Sequence, residues 1–308
     1  MIEAEHLSKW YGQVIGLNDV SVTVGGGLTA LLGPNGAGKT TFLRLMTGQL
    51  KPSQGSIRLF GEPVWNNRRV LARIGFCPEE DAFYGHLTAL QFVTTLARIS
   101  GLPRGEAAHR AAETLETVGM GGALHRKIRG FSKGMRQRTK FAQAIVHDPD
   151  VVVLDEPLTG TDPVGRRDLR DLIGGLADAG KQVVISSHVL YEVEALTETI
   201  VLIHRGRIVA SGNLHEIRDL MDTYPHRIRI RSADGRGLAS VLVERPHVVG
   251  VEVASSGETL TVQTQDPGAF FAELPGLVLD NGAEVREMYS EDDNLDAVFR
   301  YLVSGGGG

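Results

Sequence analysis

Gly33-Pro34-Asn35-Gly36-Ala37-Gly38-Lys39-Thr40 is the stretch from which the rest of the chain is read. It fits G-x-x-x-x-G-K-[ST], a loop that cradles phosphate groups. The context is the one this motif needs. Residues 27–32 spell a short buried strand, and residues 41–46, beginning at Thr41, carry helical spacing. Glycines let backbone N–H groups close on a phosphate chain, and the helix N-terminus adds positive potential. Lys39 is expected to reach the β- and γ-phosphates, and the Thr40 hydroxyl to ligate Mg²⁺.

The second strong signal is Val151-Val152-Val153-Leu154-Asp155-Glu156-Pro157. Four apolar residues make a strand buried on both faces. Two carboxylates then stand at its C-terminal end, where ligands bind in open α/β sheets. Asp155 is placed to hold Mg²⁺, and Glu156 to polarise an attacking water. A further strand, residues 181–188, ends in His188, next in order to the carboxylate strand and within reach of a γ-phosphate. Imidazole can donate a hydrogen bond there.

Composition sets the frame. The 308 residues suffice for one large domain or two ordinary ones, and an apolar share of 42% supports a sizeable core. The net charge of −5 argues against a nucleic-acid surface spread over the molecule. That charge is uneven: residues 1–220 hold 25 basic and 23 acidic side chains, residues 221–308 hold 7 and 14. A boundary near Met221 is therefore expected. Cys77, the single cysteine, excludes an internal disulfide and fits a reducing compartment. No apolar run approaches the roughly 20 residues that span a bilayer. The start lacks the basic-then-apolar form of a signal peptide.

Taken in order, the chain opens with loose alternation as far as Leu7. Tyr11 either stacks on an adenine ahead of the phosphate loop or covers the core as an edge-strand aromatic. Residues 20–24 alternate with period two, so antiparallel strands precede the parallel sheet. Residues 51–56 read as a turn cluster, 57–60 as a strand, and 74–79 as an apolar strand broken by Pro78. Residues 88–99 and 107–118 look helical, a helical insertion within an α/β domain. Ser132 is an N-cap for a helix running to about Val146. Residues 200–203 and 207–209 form a closing hairpin around Arg205-Gly206.

This order of motifs resembles the ATP-binding subunit of an ABC transporter, over about residues 2–219. The most diagnostic part is Gly130-Phe131-Ser132-Lys133-Gly134-Met135-Arg136-Gln137-Arg138. It is similar to the family signature Leu-Ser-Gly-Gly-Gln; Ser132 and Gly134 match, while Phe131, Lys133 and Met135 depart. The resemblance implies that this segment, at a helix N-terminus, faces the γ-phosphate held by a second subunit. It further implies that Tyr11 stacks on adenine and that residues 33–40 hold the phosphates. It makes Asp155 and Glu156 the metal-binding and catalytic carboxylates, and His188 the switch histidine. Asp162, in Thr159-Gly160-Thr161-Asp162-Pro163, matches the dimer loop. Glu79 falls where the family usually has glutamine and can meet the metal or water. Residues 79–87 would face the membrane partner.

After Met221, residues 227–231 alternate strictly as a strand with one charged face, residues 238–243 look helical, and residues 248–253 and 259–265 are strands joined at Ser256-Gly257. A helix from Pro267, a strand over 284–288 and a helix over 294–302 complete a βαββαβ order, a ferredoxin-like split βαβ unit. This resembles the C-terminal domain of exporter-type ATP-binding subunits and is read as a dimerising addition without a ligand. The expected fold is thus a P-loop NTPase α/β core with an antiparallel β subdomain and a helical insertion (about residues 80–147), residues 1–220 in all. A small α+β domain (residues 221–303) and a disordered tail (304–308) follow.

The implied function is that of an ATPase using ATP and Mg²⁺. It powers transport, with export favoured, through separate polytopic membrane permease subunits, as a homodimer or heterodimer that sandwiches ATP. Its expected place is cytoplasmic, peripheral on the inner face of the membrane. The alternative is a soluble ABC ATPase acting on nucleic acid or ribosomes. Against it stand the single nucleotide domain, the lack of zinc cysteines or a long coiled coil, and the lack of a basic tail. A regulatory switch without turnover is opposed by the retained Glu156.

Overall fold

The computed structural model describes residues 1–213 and 225–290. The chain divides into two compact units, Met1–Asn213 and Leu214–Gly308. The expected boundary near Met221, the helix over 294–302 and the tail over 304–308 lie outside the described residues.

In the first unit, β1 (Ile2–Tyr11), β2 (Val14–Val24), β4 (Gln54–Leu59) and β5 (Glu62–Pro63) form an antiparallel sheet in the order β2-β1-β4-β5. Both leading strands outrun the alternation that marks them in sequence. Register shifts between Ala4 and Trp10 break the period, and His6 (φ 47°) and Asp19 (φ 54°) take left-handed backbones while their side chains bond at 2.8 Å. A bulge moves a strand's side chains off strict alternation, which hides the strand from a period-two reading. The expected turn over 51–56 is likewise corrected, because β4 already starts at Gln54. Gly55 (φ 73°) makes this possible: a Cβ there would strike the backbone of His6 in the facing strand.

The second sheet has the order β10-β9-β3-β8-β7-β6, built from β3 (Leu28–Leu32), β6 (Ile74–Cys77), β7 (Val151–Leu154), β8 (Gln182–Ser187), β9 (Thr199–His204) and β10 (Arg207–Asn213). The pairings among β3, β6, β7, β8 and β9 are parallel, and β10 closes the edge antiparallel to β9. Parallel strands need covering on both faces, so their sequences run apolar without alternation: all of Val151–Leu154 is buried. α1 (Lys39–Met46) packs between the sheets; Phe42 and Leu43 join Leu7 and Val22 from one sheet to Val153 and Val184 from the other in one core. Each such side chain contributes about 1.5–3 kcal/mol on burial.

α2 (Arg68–Leu71) precedes β6, and α3 (Ala89–Ile99) and α4 (Arg104–Thr117) pack on each other. Thr88 caps α3 with a full capping box to Gln91. α5 (Lys133–Ile145) lies on β6 so closely that a Cβ at Gly75 would strike the carbonyl of Ala144. α6 (Pro163–Asp178) and α7 (Leu190–Glu194) complete the unit. Beneath α5, Cys77 is fully buried, and burial pushes its thiol up to about 12. The native protein is therefore expected to resist maleimide at pH 8 and to take up one equivalent on unfolding. Rapid labelling of folded protein would contradict this burial.

The second unit places β11 (His226–Ser232), β12 (Val248–Val253), β13 (Thr259–Thr264) and β14 (Val285–Ser290) in the antiparallel order β12-β13-β11-β14. α8 (Gly235–Leu242) and α9 (Pro267–Asp280) supply Leu238, Leu242, Phe270 and Leu274 to a core with Ile228, Ile230, Leu260 and Val262. Asp234 and Asp266 cap the two helices. α9 starts at Pro267 as expected and runs straight through Pro275. Among the described residues, no helix is long and apolar enough to cross a membrane.

Candidate active site

The phosphate loop leaves the C-terminal end of β3, the strand held between β8 and β9. Two of its glycines have steric reasons. A Cβ at Gly33 would meet the carbonyl of Ile203 on β9, and at Gly38 (φ 109°) it would lie 2.7 Å from the Gly16 carbonyl oxygen. Gly38 is the residue before α1, so the chain turns there and presents the helix N-terminus to the loop's interior. Lys39, only 6% exposed, folds back over the loop. Its Nζ donates to the carbonyl of Gly33 at 2.7 Å and lies 3.3 Å from Glu156 Oε1.

Parallel register brings the acidic end into place. β7 pairs with β8 through Leu154 and Ile185, so Asp155 and Ser186 come next and side by side. Ser186 Oγ donates to Asp155 Oδ1 at 2.6 Å and accepts the Glu156 N–H at 2.9 Å. Burial pushes the Asp155 carboxyl up from its ordinary value, and hydrogen bonds from Ser186 and Thr40 draw it back part of the way. Glu156 adopts φ 47°, a left-handed conformation that costs a β-capable residue about 1–3 kcal/mol and swings its side chain out of the strand direction. Its Oε2 lies 2.9 Å from His188 Nδ1 and accepts from Thr159 Oγ1 at 3.3 Å. One buried carboxylate is thus held between a lysine, a threonine and a histidine from three different segments.

Two open clefts border this cluster. One, of ≈ 490 Å³, is lined by the phosphate loop with Tyr11, Ile15, Glu79 and Glu156. The other, of ≈ 810 Å³, is lined by Tyr11, Thr40, Thr41, Glu79, Lys140 and Asp155 among others. The Tyr11 ring is 45% exposed, with its hydroxyl 3.4 Å from Thr41 Oγ1, so it stands at the cleft mouth rather than in the core. Glu79 follows β6 and is exposed toward both clefts.

Three expected site residues stand elsewhere: Ser132, Gly134 and Asp162 line neither cleft. Ser132 caps α5, accepting from Met135 N at 3.3 Å, and Asp162 caps α6 in the same way through Gly165 N at 3.2 Å. A Cβ at Gly134 would meet nothing within 4 Å beyond its own helix turn among the described residues. Lys133 lies against Gly160. Ser186 and Thr159 are site residues that the sequence reading did not single out. The signal for Ser186 was present: a hydroxyl on a wholly buried strand needs a partner.

Residues 17–159 match the family described as ABC transporter. The bacitracin transport ATP-binding protein BcrA of Enterococcus faecalis is 31% identical over 310 residues, covering 100% of this chain and 97% of that protein. The daunorubicin/doxorubicin resistance ATP-binding protein DrrA of Streptomyces peucetius is 32% identical, covering 98% and 92%. Among solved structures, an ATP-binding subunit of an ABC transporter superposes with TM-score 0.65 at 29% identity, over 72% of this chain and 93% of that one.

Proposed function

This chain belongs to the ATP-binding subunits of ABC transporters, and from that premise we propose that its Lys39–Asp155–Glu156–His188 cluster hydrolyses ATP to drive export through separate membrane permease subunits. ATP is the family's substrate, and its members dimerise and act with permease partners. Export is favoured because relatives that match nearly the whole chain are named for bacitracin transport and for drug resistance. Neither name supports the nucleic-acid alternative. The two units are read as an ATP-binding domain and a separate α+β addition. The chain's place is then peripheral, on the cytoplasmic face of the membrane that holds the permease.

The residues have distinct tasks in this reading. The N–H groups at the start of α1 and the Lys39 ammonium bind the β- and γ-phosphates; Lys39 exchanges its Gly33 carbonyl and Glu156 contacts for phosphate oxygens. Tyr11 offers its exposed ring to the adenine. The Thr40 hydroxyl, the Asp155 carboxylate and, from the loop after β6, Glu79 form an all-oxygen donor set suited to Mg²⁺. Among the described residues no group of three His, Cys, Asp or Glu side chains could hold a metal by itself. That fits an ion completed by nucleotide phosphates and water. Bound there, Mg²⁺ neutralises charge on the transferred phosphoryl group. Glu156 orients the attacking water and draws its proton toward Oε1, the oxygen that Lys39 leaves, while Thr159 and His188 fix Oε2. Ser132 and Gly134 serve the nucleotide of the second copy, with Asp162 at the junction.

The observation that carries the proposal is the Glu156 carboxylate held at once by Lys39, Thr159 and His188 beside the phosphate loop. The purified chain is expected to release phosphate from Mg-ATP, and Lys39→Ala to bind ATP about 10- to 100-fold more weakly, the loss of a charged hydrogen bond of about 1.5–3 kcal/mol. A folded chain without turnover, or a Lys39→Ala variant of undiminished affinity by calorimetry, would overturn it.

A further inference from the structure

Granting the cleft to ATP as proposed above, we infer that Lys140 is a positioning residue: its buried ammonium latches the loop that carries Glu79 to α5, the helix that begins at the signature segment.

α5 and the chain that leaves β6 run past each other, joined by polar side chains in reverse order. His147 Nε2, just beyond α5, lies 3.1 Å from the carbonyl oxygen of Ile74. Gln143 Nε2 donates to the carbonyl of Phe76 at 3.3 Å. Lys140 Nζ donates to the carbonyl of Glu79 at 2.6 Å and pairs with Asp81 Oδ1 at 3.1 Å. One turn earlier, Arg136 Nη1 reaches Asp81 Oδ2 at 3.4 Å. The first two contacts hold a strand that its neighbour β7 already holds. The last two hold residues 79–81, which have left the sheet and belong to no strand or helix.

Lys140 is the informative member because its side chain is only 4% exposed, whereas Arg136 and Asp81 are 38% and 36% exposed. An ammonium removed from water is costly unless paired and hydrogen-bonded, so an apolar side chain of that length would fill the same space more cheaply. The charge therefore has a task that packing does not supply. It satisfies a carbonyl with no ladder partner and fixes the backbone from which the Glu79 side chain projects into both clefts. Lys140 lines one of the clefts, but its ammonium bonds to the Glu79 carbonyl and Asp81 and, among the described residues, not to the phosphate loop. It acts through Glu79.

The test is a double-mutant cycle in the full-length chain, read by ATP turnover. Lys140→Met should lower kcat about 10- to 100-fold, the cost of a misplaced group about 1 Å from its productive position, and leave KM for ATP within about twofold. In the Glu79→Ala background the same change should lower kcat less than about twofold, since the group it positions is gone. Equal losses in both backgrounds, or a lowered Tm with kcat intact, would mean that Lys140 only stabilises the fold. If Lys140→Met does not fold, Asp81→Asn, which removes only the half-exposed end of the latch, carries the same cycle and the same criteria. If the unaltered chain has no turnover, the ATPase reading falls, and hydrogen exchange then decides the latch. Lys140→Met or Asp81→Asn should speed exchange at residues 79–82 and not in β7; unchanged exchange at residues 79–82 overturns it.

Discussion

Replacing Glu156 with glutamine is expected to lower ATP turnover about 10²–10⁴-fold, the range for losing a positioned general base, while ATP binding survives. The amide keeps the carboxylate's shape and an oxygen able to face Thr159 and His188, but it cannot take a proton from water. Binding should survive because the phosphate contacts lie elsewhere, on Lys39 and the loop N–H groups. The free protein does lose something: Lys39 gives up the carboxylate 3.3 Å away and keeps only the Gly33 and Pro34 carbonyls. A buried ion pair broken on one side destabilises. The variant should therefore melt below the unaltered chain without ATP and regain most of the difference when ATP supplies new partners for the ammonium. Phosphate release and thermal melts with and without ATP read both effects. Turnover at the unaltered rate would remove Glu156 from the role assigned to it.

Gly134→Asp should have an equally large effect on turnover by a different route. Within one chain the position is open: a Cβ meets no atom within 4 Å, and an acidic residue in the first turn of α5 suits the helix dipole. Folding and ATP binding by the monomer should thus be unchanged within about twofold, as for surface substitutions within ±0.5 kcal/mol. The damage arises only when a second copy brings its γ-phosphate to this helix end. Two negative charges at about 4 Å repel by about 4 kcal/mol at the effective dielectric of a partly desolvated site, so the closed dimer and its turnover should be lost. A drop in monomer affinity measured by calorimetry would mean that the signature serves its own chain's nucleotide.

What the sequence disclosed and what it withheld follow from how local the physics is. The phosphate loop, the Asp155-Glu156 strand end and the Ser132 cap are contiguous patterns, each enforced by its own backbone, and they stand where the pattern puts them. Ser186 and Lys140 act across 30 and 61 residues of chain. Strand register and helix docking create those contacts, and no short motif announces them. The limits of β1, β2 and β4 were misread for a related reason. Bulges and left-handed residues at His6, Asp19 and Gly55 break the alternation by which a strand is recognised. Gly134 is the reverse case. Its motif was legible, yet among the described residues nothing beyond its own helix turn stands within 4 Å of a Cβ placed there.

That unexplained openness bears directly on the central claim, a hydrolytic site completed by a second copy. The decisive measurement is the molar mass in solution, by light scattering, of Glu156→Gln with and without Mg-ATP, set beside the Gly134→Asp/Glu156→Gln double variant. A shared site predicts that ATP converts the single variant from monomer to dimer and leaves the double variant monomeric although it still binds ATP. An ATP-dependent dimer of the double variant, or a single variant that stays monomeric at saturating ATP, would contradict it.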